Sequence, residues 1–143
     1  MAKICTSIEQ SKKLMELGID INTADMDYVP FVNDPTEYDC VINEWNNEHE
    51  EDWIPAWSLS ALLDILPSEF TEVGKYSTTT YEIKIRKYKF TDNVNLHQIA
   101  YGSYKFYEDD NSSWKDMINT GEKEDLLDAA FEMVCWLKEN NKL

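Results

Sequence analysis

Apolar residues recur at helical spacing in three parts of this chain and alternate with polar ones in a fourth. Leu59, Leu62, Leu63 and Leu66 fall at i, i+3, i+4 and i+7, which predicts a short helix ended by Pro67. Ser58 as its N-cap and Pro55 in its first turn are both compatible with the start. Near the beginning of the chain, Thr6 or Ser7 followed three residues later by Glu9 or Gln10 reads as a capping box. The helix it opens spans about residues 7–17, carries Ile8, Leu14, Met15 and Leu17, and is closed by Gly18. The last helix has a broad apolar arc of Leu126, Leu127, Ala130, Phe131, Val134 and Leu137 against a narrow polar stripe of Asp125, Asp128, Glu132 and Glu139. Glu122 and Glu124 at its positive end and Lys138 near its negative end suit the macrodipole. So wide an arc needs cover on two sides, which places this helix between a sheet and another helix.

Tyr81, Ile83 and Ile85 alternate with Glu82, Lys84 and Arg86, the period of a half-buried strand. Tyr88 and Phe90 break that parity; a bulge near residues 86–87 and a strand covered on both faces both explain it. A turn at residues 91–93 leads to a second strand, with Ile99 and Tyr101 on one side and Tyr104 and Phe106 on the other. The two pair as an antiparallel hairpin. Between residues 19 and 54 the pattern weakens: Pro30 and Pro35 break any helix, residues 33–35 read as a turn, and Tyr38, Cys40 and Ile42 share one face of a possible strand. Residues 47–53 form a charged loop, and Ser112 with Ser113 caps a short turn containing Trp114, Met117 and Ile118. These elements predict an α+β fold: a small antiparallel sheet built around a hairpin (79–90 and 94–107), packed with an N-terminal helix, a short middle helix and a long C-terminal helix. At 143 residues, one domain is expected.

Charge changes the picture more than composition does. The net charge is −15, yet residues 14–74 contain no Lys or Arg and 15 of the 28 acids, while the remainder balances 13 acids with 13 bases. If the segment packs together, one side of the fold is strongly negative, which disfavours a polyanionic partner. The plain alternative is a solubilising surface without a partner. With 43% apolar and 13% aromatic residues, the composition argues against wholesale disorder. The absence of an apolar leader or a membrane-length run predicts neither export nor insertion. Cys5, Cys40 and Cys135 form no C-x-x-C pair, a usage that suits a reducing cytoplasm.

No catalytic or metal motif emerges. Glu48, Glu50, Glu51 and Asp52 around His49 lack the glycine and alternating oxygen ligands of a calcium loop, so no cofactor or metal is expected. His97 reads as a strand residue rather than a general base, and Cys135 as an inert buried thiol. Lys84, Arg86, Lys87 and Lys89, interleaved with Tyr81 and Tyr88, have the composition of a nucleic-acid-binding strand, but four cations on an acidic protein favour pairing with its own carboxylates. Direct nucleic-acid binding is therefore not expected. Trp45, Trp53 and Trp57 lie in the acidic segment; aromatics amid carboxylates suit a contact surface for a basic protein, and burial in the core is the simpler alternative.

The stretches TSIEQSKKLMELGI, TADM, IPAWSLSALLDILP and DAAFEMVCWLKEN together resemble a family of small uncharacterised proteins from prophages and mobile elements of Bacteroides-type bacteria. The layout of sheet and final helix is also similar to small phage domains of α-β-α sandwich type. The resemblance implies a genetic setting and carries over no site residue. The resulting expectation is a non-enzymatic, cytoplasmic binding or accessory protein that offers Trp45, Glu48, Glu50, Glu51, Asp52, Trp53 and Trp57 to a basic protein. A small hydrolase or metal-dependent enzyme, whose site would join His49 or His97 to carboxylates only in the fold, is the alternative. A structural module that forms homo-oligomers is a third.

Overall fold

The computed structural model describes residues 3–43, 52–106 and 112–143. Helix α1 (Ile8–Glu16) opens on the capping box in its Ser7 form: the Gln10 backbone N–H donates to Ser7 Oγ at 3.1 Å, and the Ser7 N–H donates to Gln10 Oε1 at 3.0 Å. Gly18 follows with φ 81°, the left-handed conformation that ends the helix. After a 3-10 turn at Ile21–Thr23 come strands β1 (Met26–Pro30), β2 (Tyr38–Ile42) and β3 (Ile54–Ala56). Helix α2 (Leu59–Ile65) starts at Ser58, whose side chain accepts from the Ala61 N–H, so Ser58 is the cap and Pro55 belongs to β3. Strands β4 (Glu69–Val73), β5 (Thr78–Lys89), β6 (Asn95–Phe106) and β7 (Ser112–Asn119) precede helix α3 (Leu126–Glu139).

The strands form two antiparallel sheets, one ordered β2-β1-β3 and the other β4-β5-β6-β7. The α+β class, the three helices and the β5–β6 hairpin follow the local periodicity. Helix α3 contacts α2 and β6, so its apolar arc is covered on both sides. Leu127, Ala130, Val134 and Leu137 are wholly buried with Leu14, Leu62, Ile99 and Tyr101. A second, smaller core under the three-stranded sheet joins Cys5, Met26 and Ala56, with Tyr28 and Cys40 packed against it.

Two local expectations are corrected. The β5–β6 register runs unbroken from Glu82↔Gly102 to Lys89↔Asn95, so β5 has no bulge. Tyr88 shares the face of Lys84 and Arg86 and is 39% exposed, while Phe90 lies beyond the strand and is 69% exposed. The parity switch marks aromatics turned to the solvent face at the turn end of the hairpin. The bulge is instead opposite the Tyr101/Gly102 step, where Tyr101 pairs with Ile118 and Gly102 with Asp116. Residues 112–119, expected as a capped turn, are therefore a strand whose alternation is interrupted at Met117.

Candidate functional site

The acidic segment builds the three-stranded sheet, α2 and β4. Its exposed carboxylates are Glu16, Asp20, Asp34, Glu37, Asp39, Asp52, Asp64 and Glu69. Among the described residues one ion pair links the segment to a base, Glu72 with Lys142 at 2.7 Å. Outside it, ion pairs join Lys3 to Asp128, Lys13 to Glu139, Arg86 to Asp116, Lys89 to Asp92 and Lys123 to Glu132. The bases thus neutralise mainly the balanced part of the chain and leave the segment's own charge uncompensated.

Of the expected contact residues, Asp52 is exposed in a turn and Trp53 is partly buried. Trp57 is corrected: it is 0% exposed. Its backbone N–H donates to Thr6 Oγ1 at 3.1 Å, its carbonyl accepts from Thr6 N–H at 2.9 Å, and its indole N–H donates to Thr23 Oγ1 at 2.9 Å. A large ring with its one donor satisfied is a core residue and is withdrawn from the contact face. Trp45, Glu48, Glu50 and Glu51, with His49, lie outside the described residues.

The basic strand divides by face. Lys84 Nζ stands 4.5 Å from the Trp114 ring centre and 5.7 Å from that of Tyr104, and the two rings meet edge to face at 5.3 Å. Arg86 forks onto Asp116, and Tyr88 and Arg86 both donate to Gln98 Oε1. Arg86 with Asp116 and Lys89 with Asp92 make the carboxylate pairs expected of this strand, while Lys84 is spent on aromatic rings instead.

A cavity of about 580 Å³ is lined by His97, Glu124, Asp125, Asp128, Lys3 and Leu59 among others. His97 is fixed by paired backbone bonds with Lys123, and its Nδ1 lies 3.2 Å from the Glu124 carbonyl oxygen. Two of the carboxylates around it, Asp125 and Asp128, already have structural partners. Asp125 caps α3 through the Leu127 N–H at 2.9 Å and accepts from the Lys3 backbone N–H at 2.7 Å. Asp128 accepts from Lys3 Nζ at 2.8 Å and Gln10 Nε2 at 2.9 Å. Burial raises the Asp128 carboxyl, but the bonds from Lys3 and Gln10 outweigh it and leave the group below its ordinary value. Asp125, Asp128 and Glu139 of the α3 stripe thus anchor the first helix and the segment before it, while Glu132 pairs with Lys123. Among the described residues, no group of three or more His, Cys, Asp or Glu side chains converges as a metal site.

One cluster escaped the sequence. Cys5, just before α1, and Cys40, on β2, bring their sulfurs within 2.8 Å, and the Cys5 sulfur lies 3.5 Å from the Tyr28 hydroxyl. Tyr28 donates to the Thr6 carbonyl at 2.8 Å. The alternation of β2 placed Cys40 on the face of Tyr38 and Ile42, but no local signal pairs two cysteines 35 residues apart.

Comparison with family models, curated proteins and solved structures found no match to this chain. No described helix is long and apolar enough to cross a membrane.

Proposed function

We propose that this protein is a non-enzymatic binding or accessory protein whose acidic surface, supplied by residues 14–74, contacts a basic protein. The observation that carries the reading is the uncompensated charge: eight exposed carboxylates in a segment devoid of bases, with one ion pair to the rest among the described residues. Such a surface steers a cationic partner and repels a polyanion. Trp53 is the described aromatic anchor, and Trp45 with Glu48, Glu50 and Glu51 extends the same acidic run. The mobile-element setting and the cytoplasmic location belong to the proposal and rest on sequence resemblance and cysteine usage.

Capture from a cell extract on the immobilised protein, at salt from low to high, tests the reading. Recovered proteins should be basic and should elute as salt rises. The triple variant Asp34→Lys/Glu37→Lys/Asp39→Lys should lose them while keeping its fold by circular dichroism. Retention of the same partners by that variant, or indifference to salt, counts against an electrostatic interface.

A hydrolase reading has one observation in its favour, the cavity that joins His97 to carboxylates. It ranks second because Asp125 and Asp128 are engaged as a helix cap and a Lys3 partner. Hydrolysis of ester or phosphoester probes that disappears in His97→Ala would reverse the ranking.

A further inference from the structure

The geometry points to Cys5 and Cys40 as a thiol pair that closes reversibly into a disulfide, clipping the segment before α1 onto the edge strand of the small sheet. The sulfurs are 2.8 Å apart, well inside the sum of two sulfur van der Waals radii, so that a small further approach reaches the ~2.05 Å of a formed bond. Both side chains belong to one small core, Cys5 buried and Cys40 half-buried against Met26, Tyr28 and Ala56. Neighbouring bonds hold each partner in place. Tyr28, which stands opposite Cys40 in the β1–β2 register, donates its hydroxyl to the Thr6 carbonyl, one residue beyond Cys5. The Thr6 backbone in turn bonds Trp57, and Cys5 bridges to Ser58. The two sulfurs therefore approach each other from backbones fixed independently of any bond between them.

The environment sets how fast the pair can close. Burial first, then the bond and charge of Cys5, push the Cys40 thiol up to about 12, because a thiolate there is poorly solvated. The same burial makes attack slow, since the thiolate is the nucleophile. Cys40, the more exposed of the two, is the entry point. Glutathione disulfide is the oxidant: the Cys40 thiolate attacks one of its sulfurs and expels glutathione thiolate, leaving a mixed disulfide. The Cys5 thiolate then displaces the second glutathione and forms the Cys5–Cys40 bond. The net change is loss of two protons and two electrons from the protein, with one glutathione disulfide reduced to two glutathiones.

The closed loop spans 35 residues, so its loss of unfolded-state freedom should raise the melting temperature by several degrees. Cys135 serves as internal control: it is buried on α3, and burial first, with Glu139 adding, pushes its thiol up to about 11.

The test equilibrates the folded protein with glutathione buffers from fully reduced to fully oxidised, quenches with acid, and maps thiols by alkylation under denaturing conditions and mass spectrometry. Expected is a loss of 2 Da, a Cys5–Cys40 cross-linked peptide pair and one alkylatable thiol at Cys135, all reversed by dithiothreitol. Cys135→Ser should retain the mass loss and the thermal shift, and Cys40→Ser should lose both. Three free thiols at every buffer ratio, glutathione adducts without the cross-link, or a cross-link to Cys135 would each overturn the proposal.

Discussion

Arg86 and Asp116 meet across two strand boundaries of the four-stranded sheet in a two-pronged ion pair, with nitrogen–oxygen distances of 2.8 and 2.5 Å. Both side chains are only 22% exposed, and the same carboxylate also accepts from the Trp114 indole at 2.6 Å. The Arg86 hydrogen bonds, chiefly, hold the Asp116 carboxyl down at about 2. A carboxyl lowered on folding stabilises the native state above its unfolded value of ~3.9 and loses that contribution as pH falls toward 2. Asp116→Asn should thus cost ~1–2 kcal/mol at pH 7, and the difference from the parent should shrink toward pH 2. Urea unfolding of both proteins across that range measures it; a difference independent of pH would remove the ion pair as its cause.

Gly102 owes its place to a close approach. A Cβ there would meet the Lys115 carbonyl oxygen at 2.3 Å and two Trp114 ring atoms at 2.8 Å. The ring can turn, but the backbone oxygen is held in the β6–β7 ladder beside the bulge. Gly102→Ala should destabilise by ~2–3 kcal/mol, read as a lower urea midpoint with an unchanged slope.

Two tryptophans four residues apart should behave differently. Trp57→Ala removes a wholly buried ring together with its indole bond to Thr23, for an expected ~3–5 kcal/mol. Trp53→Ala, at a partly buried ring, should cost ~1 kcal/mol and lower partner capture. Equal destabilisation by the two would contradict the assignment of one to the core and the other to the surface.

The anchors on α3 separate by kind. Asp125→Ala removes a helix cap and should cost ~1 kcal/mol. Lys3→Ala breaks a pair whose lysine is 46% exposed and should cost under ~1 kcal/mol, less in high salt. Thermal unfolding at two ionic strengths distinguishes a salt-sensitive loss from an insensitive one.

What the sequence reveals depends on how local the cause is. The three helices announce themselves because stripe, cap and stop lie within a dozen residues, and the β5–β6 hairpin because its alternation is long. Strand β7 hides because its bulge breaks the period that would identify it. Strands β1 and β3 hide because they are short and held by partners distant in sequence; β3 even contains Pro55. The charge segregation is readable by counting. The division between Trp53 and Trp57 is not, since tertiary contacts with Thr6 and Thr23 decide it. The Cys5–Cys40 approach likewise exists only once β1, β2 and the segment before α1 have assembled.

The order β4-β5-β6-β7 has a kinetic consequence. Each strand pairs with its neighbour in the chain, so this meander can zip up by successive short loop closures, with α3 arriving directly afterwards to cover it. The β2-β1-β3 layer must gather the chain from residue 5 to residue 58 before its bonds repay the ordering. That layer should be the last to assemble and the first to open, so that amide exchange is expected to be fastest there and slowest in β6.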